Sequence, residues 1–358
     1  MMRILHVADL HLKATGDERW DALLHIVAKA NELNADVLAI SGDLFDRENK
    51  FVALQDSLKE ELSKVPGRVL ILPGNHDHAT LNRGPYFGNN VSVITSHLEP
   101  VDIDNVSFWG LPFVDAGHLE VNRMISKQKE MMDARRTHVL LYHGELVDSV
   151  SRAREDYGEE DNKTYRYMPV TARSFDDVPF TIVLAGHYHS RYRDEKFSSG
   201  CHFIYPGSPV AMNHKERGMR HACLVDIGKA PVRVPLDTAR YELVHVTLDP
   251  GTADPAAAIR NALDKVDAWA RVILEVDGFI DGEALGMTEV ALVNEINDIV
   301  TGSSLDIEKR TISCKDIGVV LHHPLFTRIA EKLDAVDGEL VDRARNIAIR
   351  AMMEVLAS

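Results

Sequence analysis

Cysteine is almost missing from this chain. Cys201, Cys223 and Cys314 are its only thiols, odd in number and far apart in 358 residues, a pattern that excludes a disulfide framework and a Cys-x-x-Cys zinc site. No apolar run reaches the roughly 18 residues that a membrane-spanning helix needs. Met1 to His6 passes straight into an apolar segment without a cleavage-site pattern, so the expected location is cytoplasmic, with no membrane association. Low-complexity tracts and internal repeats are absent as well. So is any surplus of basic charge: 40 Lys and Arg stand against 55 Asp and Glu, a formal net charge of -15. A nucleic-acid surface ordinarily clusters Lys and Arg, which counts against tight DNA binding by this chain alone. With 45% hydrophobic and 27% charged residues the composition is that of a globular protein, and the length leaves room for two domains.

Against those absences stand short segments with a shared plan. Asp9-Leu10-His11, Gly42-Asp43, Gly74-Asn75-His76-Asp77, Tyr142-His143-Gly144 and Gly186-His187-Tyr188-His189 each follow a short run rich in Val, Ile and Leu. Such runs, closed by Gly or polar residues, predict buried strands. Open α/β sheets bind ligands beyond the carboxyl ends of their strands, so these distant segments are expected to meet in one crevice.

Between the first two runs, Leu23, Leu24, Ile26, Val27, Ala30 and Leu33 have helical spacing and predict a βαβ crossover; 52–62 repeats the pattern. The runs at 91–94, 101–103 and 106–109 read as a hairpin region, and 149–168, which contains the acidic stretch 155–161, reads as a surface loop. Three further short strands follow position 203. A second unit then alternates strand, helix, strand, helix, strand over 241–311. The segment 324–357 is expected to be helical with a break near Gly338. The expected organisation is a first domain at 1–238, a small α/β domain at 239–315 and a helical tail at 316–358.

Asp, His and Asn without thiolate suit manganese, magnesium, iron or zinc rather than a sulfur-rich site. Asp9, His11, Asp43, Asn75, His143, His187 and His189 offer seven side chains, too many for one catalytic ion with open positions and suited to two ions sharing a carboxylate, for which Asp43 is the candidate. Lone histidines such as His6, His25 and His97 read as ordinary core or surface residues, whereas clustered carboxylates without a cation would repel one another. His76, beside Asn75, is the candidate general acid. Asp77 would orient either His76 or the turn. Basic groups collect at Arg191, Arg193, Lys215, Arg217 and Arg220, as a phosphate-binding patch or a solvated face. Ser208, in Pro206-Gly207-Ser208-Pro209, lies in a plain turn or in a backbone cradle for phosphate.

Asp-x-His, Gly-Asp-x-x-Asp, Gly-Asn-His-Asp, His-Gly and Gly-His-x-His in this order resemble the calcineurin-like metallophosphoesterases over residues 4–211. Ala8 to Leu12, Gly42 to Asp46 and Tyr205 to Ala211 resemble the SbcD/Mre11 DNA-repair nucleases in particular. That resemblance implies an α/β fold: a β-sandwich of two mixed sheets flanked by helices, a small α/β DNA-capping domain and a helical tail that binds an SbcC/Rad50-like ATPase. It also implies a homodimer, and a manganese-dependent exo- or endonuclease acting in DNA repair and recombination. By resemblance, Asp9, His11, Asp43 and His189 hold one metal and Asp43, Asn75, His143 and His187 the other, with Ser208, Lys215, Arg217 and Arg220 toward the substrate. Asp46 departs from the Mre11 branch, which carries a second active-site histidine there, and agrees with the bacterial SbcD branch. The alternatives are a small-molecule or nucleotide phosphodiesterase on the same metal core, and a scaffold subunit of an ATPase complex.

Overall fold

A computed structural model of the chain describes residues 2–147, 167–333 and 340–356. The expected loop at 149–168 lies outside the described residues except for Tyr167 and Met168, and Met168 is buried rather than on the surface. The expected break near Gly338 also lies outside them. The chain divides into two compact units, Met1–Tyr241 and Glu242–Ser358.

In the first unit β1 (Arg3–Val7), β2 (Val37–Ser41) and β3 (Arg68–Leu72) are buried almost throughout, as parallel strands covered on both faces must be. The crossover α1 (Glu18–Glu32) starts where the Asp17 carboxylate accepts the backbone N–H groups of Arg19 and Trp20. It turns Leu23, Ile26, Val27 and Ala30 inward, and α2 (Phe51–Ser63) does the same with Leu54, Leu58 and Leu62. The first sheet adds β4 (Val91–Val93), β11 (Arg220–Asp226) and β12 (Val232–Leu236), in the order β12-β11-β1-β2-β3-β4.

The second sheet comprises β5 (Val101–Ile103), β6 (Val106–Leu111), β7 (Thr137–His143), β8 (Phe180–Gly186), β9 (Arg193–Lys196) and β10 (His202–Tyr205), in the order β5-β6-β7-β8-β10-β9. Both sheets mix parallel and antiparallel pairs. Ile4, Val37, Ala39, Leu70 and Leu72 of one sheet share a core with Phe108, Val139, Leu141, Ile182 and Leu184 of the other. Helices cover the outer faces. The fold is therefore the expected sandwich of two mixed sheets flanked by helices.

Two details differ from the sequence reading. Of the three runs at 91–109, β5 and β6 form a hairpin, turning at Asp104 (φ 49°), while Val91–Val93 pairs parallel to β3 as an edge of the other sheet. Length and alternation look the same in either sheet. Strand β9 has no counterpart in that reading because its Arg-Asp-Glu-Lys sequence carries no apolar signal; its place on the sheet edge tolerates that.

The second unit has a three-stranded sheet, β13 (Arg240–Leu248), β14 (Ala270–Ile280) and β15 (Asp306–Asp316), packed on the helices Pro255–Leu263 and Glu289–Gly302 through Val246, Leu248, Ile259, Leu274 and Ile296. The helices Pro324–Leu333 and Leu340–Leu356 follow. Phe326, Ile349 and Met353 of these helices are buried with Ile317 and Val320, against the partly buried Phe279 of β14.

Candidate metal centre

The loops after β1, β2, β3, β7 and β8 meet, and their backbones are held in unusual shapes. Asp9, His11, Asp43 and His187 have φ values of 56, 48, 48 and 106°, which L side chains adopt only where the surroundings impose it. Asp9 N–H donates to Gly42 O at 3.1 Å and His11 N–H to Asp43 O at 2.9 Å, closing the first two loops on each other. Glycine makes the remaining approaches feasible. A Cβ on Gly74 would lie 2.2 Å from Asp43 Oδ1, and one on Gly186 would lie 2.0 Å from Ser41 O.

The side chains carried there face a common space. One ligand atom from each of Asp9, His11, Asp43 and His189 lies within 4.8 Å of those of the others. Asp43 Oδ2 is 3.6 Å from His11 Nε2 on one side and 3.3 Å from His143 Nε2 on the other. On that second side His143 Nε2 is 2.9 Å from Asn75 Oδ1, and the His143 and His187 ring centroids are 5.5 Å apart. His143 Nδ1 lies 2.9 Å from Ser41 O and donates its proton there, which turns Nε2 toward Asp43 and Asn75. All seven side chains singled out from the sequence are thus brought together around the Asp43 carboxylate.

The electrostatics of the cluster fit cations. His11 Nε2 and His189 Nε2 face each other at 3.2 Å, and the buried Nε2 of His187 has no hydrogen-bond partner among the described residues. Burial lowers the His143 imidazole, yet the Asp43 and Asp9 carboxylates more than offset this and leave its pKa raised to about 9. His189 is also raised to about 9: burial is outweighed there by Glu216, Asp9 and Asp43. His187 goes the other way, to about 3, through burial and the neighbouring His143. Protons are being drawn in to neutralise buried carboxylates, the task that metal cations perform better while using the same lone pairs. Paired nitrogens, an orphaned ring nitrogen and an all-oxygen-and-imidazole donor set fit divalent ions of the manganese, iron or zinc kind.

The remaining predicted residues are placed as follows. The His76 ring lies 4.8 Å from that of His11, its Nδ1 is 3.0 Å from Asp46 O, and its backbone N–H donates to Asp43 Oδ1 at 2.9 Å. Asp77 holds the turn rather than His76: its oxygens accept Gly74 N–H at 2.9 Å and Phe45 N–H at 3.0 Å. Burial and the Asp43 charge raise its pKa to about 7. Lys215 and Arg217 are exposed, whereas Ser208 and Arg220 are buried, at 0% and 2% exposure. Arg220 spends its guanidinium on the carbonyls of Ser208, Ser190 and His189, so it is a strut inside the fold and not a substrate contact. Two further groups are absent from the sequence reading. Glu216 lies buried behind His189, and Arg19 bridges His11 O and Asp46 Oδ1, both at 2.6 Å. Neither carries a local motif; Glu216 is embedded in His214-Lys215-Glu216-Arg217, which looks like a solvated run.

Among solved structures, TT1561 of Thermus thermophilus is 14% identical, with a TM-score of 0.43, over 65% of this chain and 98% of that one. A dimetal phosphatase from Danio rerio is 10% identical, with a TM-score of 0.43, over 66% of this chain and 96% of that one. No curated protein matches. The family model described as Calcineurin-like phosphoesterase matches residues 2–191, more than half of the chain and all of the loops that carry the cluster; the chain belongs to the calcineurin-like phosphoesterases and is a metal-dependent hydrolase.

Proposed function

We propose that the chain is a two-metal DNA nuclease of the SbcD/Mre11 type that acts with an SbcC/Rad50-like ATPase in DNA end processing. The observation that carries the two-metal part is the two-sided environment of Asp43 Oδ2, with His11 at 3.6 Å and His143 at 3.3 Å. Asp9, His11, Asp43 and His189 would hold one ion and Asp43, Asn75, His143 and His187 the other. Bound there, divalent cations, manganese on this reading, would lend Lewis acidity to a phosphoryl oxygen and to water. The chain's own residues do the rest. Asp46 O fixes the Nδ1 proton of His76, which assigns proton exchange with the leaving oxygen to Nε2. Asp77 and the Asp43–His76 backbone contact hold that loop in register with the ligands. The nuclease part is supported by the segments at 8–12, 42–46 and 205–211 that resemble those nucleases, and by an α/β unit followed by helices in the corresponding order.

One observation favours a second reading. The net charge of -15 and the burial of Arg220 weigh against a polyanion and suit a small phosphodiester or nucleotide substrate. The deciding experiment gives the manganese-loaded protein linear and hairpin duplex DNA in parallel with bis-p-nitrophenyl phosphate. Nicking or degradation of DNA is expected. Rapid turnover of the small ester with DNA intact after long incubation would replace the nuclease reading by the second.

A further inference from the structure

His189 presents its two ring nitrogens to two different surroundings. Nε2 lies 3.2 Å from His11 Nε2 and 3.7 Å from Asp9 Oδ1, among the candidate ligands. Nδ1 lies 3.6 Å from Oε1 of Glu216. A neutral imidazole has one lone pair and one N–H, so it can face a cation with Nε2 only if the proton resides on Nδ1. We infer that Glu216 is a positioning residue for the metal centre: its carboxylate keeps the His189 proton on Nδ1 and the ring turned so that Nε2 points at the ion. Carboxylates placed behind metal-bound histidines act in this way by fixing the tautomer and raising the basicity of the ligand nitrogen. The inference rests on the metal reading of the Asp9, His11, Asp43 and His189 cluster.

Glu216 is built in for such a task. It is 4% exposed, in a segment whose neighbours Lys215 and Arg217 are on the surface. Oε2 accepts Met212 N–H at 2.8 Å and lies 3.2 Å from Ser208 Oγ, while Oε1 accepts Asn213 Nδ2–H at 2.9 Å. Those contacts fix the carboxylate and leave Oε1 with a second lone pair on the His189 side. Arg220 fixes the same histidine from its backbone, donating to the carbonyls of His189 and Ser190 and to Ser208 O at 2.9 Å. Side chain and main chain of His189 are therefore anchored by two charged residues that themselves share Ser208. The competing account is that Glu216 only closes the turn at 212–216. The two accounts separate in Glu216→Gln, which keeps an oxygen acceptor for the turn but removes the charge facing Nδ1.

The test titrates the full-length, metal-stripped protein with Mn2+, following free manganese by electron paramagnetic resonance, with thermal unfolding of the metal-free form as control. Wild type should bind two ions. Glu216→Gln should unfold close to wild type without metal but bind one ion about 10- to 100-fold more weakly. In the His189→Ala background the same substitution should add nothing further, because both changes act through one ligand. Wild-type affinity in Glu216→Gln would overturn the inference, and so would an equal additional loss on top of His189→Ala. Should Glu216→Gln fail to fold, Glu216→Asp keeps the charge but withdraws it from Nδ1, and wild-type affinity in that variant would overturn the inference too. A wild-type protein that binds no manganese would instead sink the metal reading, a result visible before any variant is compared.

Discussion

At the scale of single residues, Asp43 and His76 sit side by side, yet the proposed function gives them separable tasks. Asp43 is fully buried, its Oδ2 facing histidines on both sides and its Oδ1 accepting the His76 N–H. Burial works against its charge, but His143 and His11 hold its pKa well below the usual carboxylate range. Asp43→Ala therefore deletes the one group common to both halves of the cluster, and should abolish metal retention and hydrolysis of every substrate together. His76 meets the cluster through its backbone N–H and the 4.8 Å ring contact with His11. His76→Ala should retain metal and slow hydrolysis by roughly two to four powers of ten, the usual worth of a general acid. Elemental analysis beside single-turnover rates separates the two; equal metal loss in both variants would remove His76 from its assigned role. The places of Asp43 and His76 in the cluster are legible in the sequence because Asp, Asn and His recur next to Gly at strand ends. Those of Glu216 and Arg220 are not, since nothing in a run of charges says which member turns inward. That depends on partners such as His189 and Ser208, which only the fold supplies.

At the scale of elements, the strand ends carry chemistry and the strand interiors carry stability, and β1 contains an exception. Ile4 belongs to the core between the sheets and Leu5 and Val7 to the outer one, so alternation places His6 between the sheets. There it is fully buried, and neither ring nitrogen has a hydrogen-bond partner among the described residues. Burial pushes its pKa down to about 3. Above about pH 6.5 His6 is neutral in both folded and unfolded chains and adds no pH dependence. As the pH falls below that value, the unfolded chain takes up a proton that the folded chain refuses. Stability is then lost at up to about 1.4 kcal/mol per pH unit until the folded pKa is reached. His6→Leu should remove this loss. The unfolding free energy of the variant relative to wild type, measured in urea, should rise between pH 7.5 and pH 5.5, the other histidines cancelling in the comparison. A constant difference would mean that His6 takes up its proton in the native core as readily as in the unfolded chain. The crossovers and buried strands can be read from periodicity, but the sheet to which β4 belongs and the very existence of β9 cannot. The first is settled by a parallel partner in β3, Val69 to Ile71, and the second by antiparallel pairing with the next strand, His202 to Tyr205, which the charged residues of β9 do not announce.

At the scale of the whole molecule, charge decides how a polyanion could be held. The net charge is -15, and burying Arg220 takes one cation of the expected basic patch out of play. Lys215 and Arg217 remain exposed on the segment whose Glu216 reaches His189 at 3.6 Å, so this face lies next to the metal cluster. If DNA is the substrate, this patch offers its phosphates Lys215 and Arg217 without Arg220. The apparent affinity should therefore fall with salt on a shallow slope, set by the phosphates engaged at about 0.9 each for duplex DNA. Lys215→Ala with Arg217→Ala should reduce that slope by about one to two and raise KM for DNA, while leaving kcat and the hydrolysis of bis-p-nitrophenyl phosphate unchanged. The measurement is kcat/KM on duplex DNA from about 50 to 200 mM salt for both proteins. Parallel salt plots would show that these cations do not meet the backbone, and a DNA rate indifferent to salt would point instead to the small-substrate reading, in which the metal centre alone supplies the positive charge.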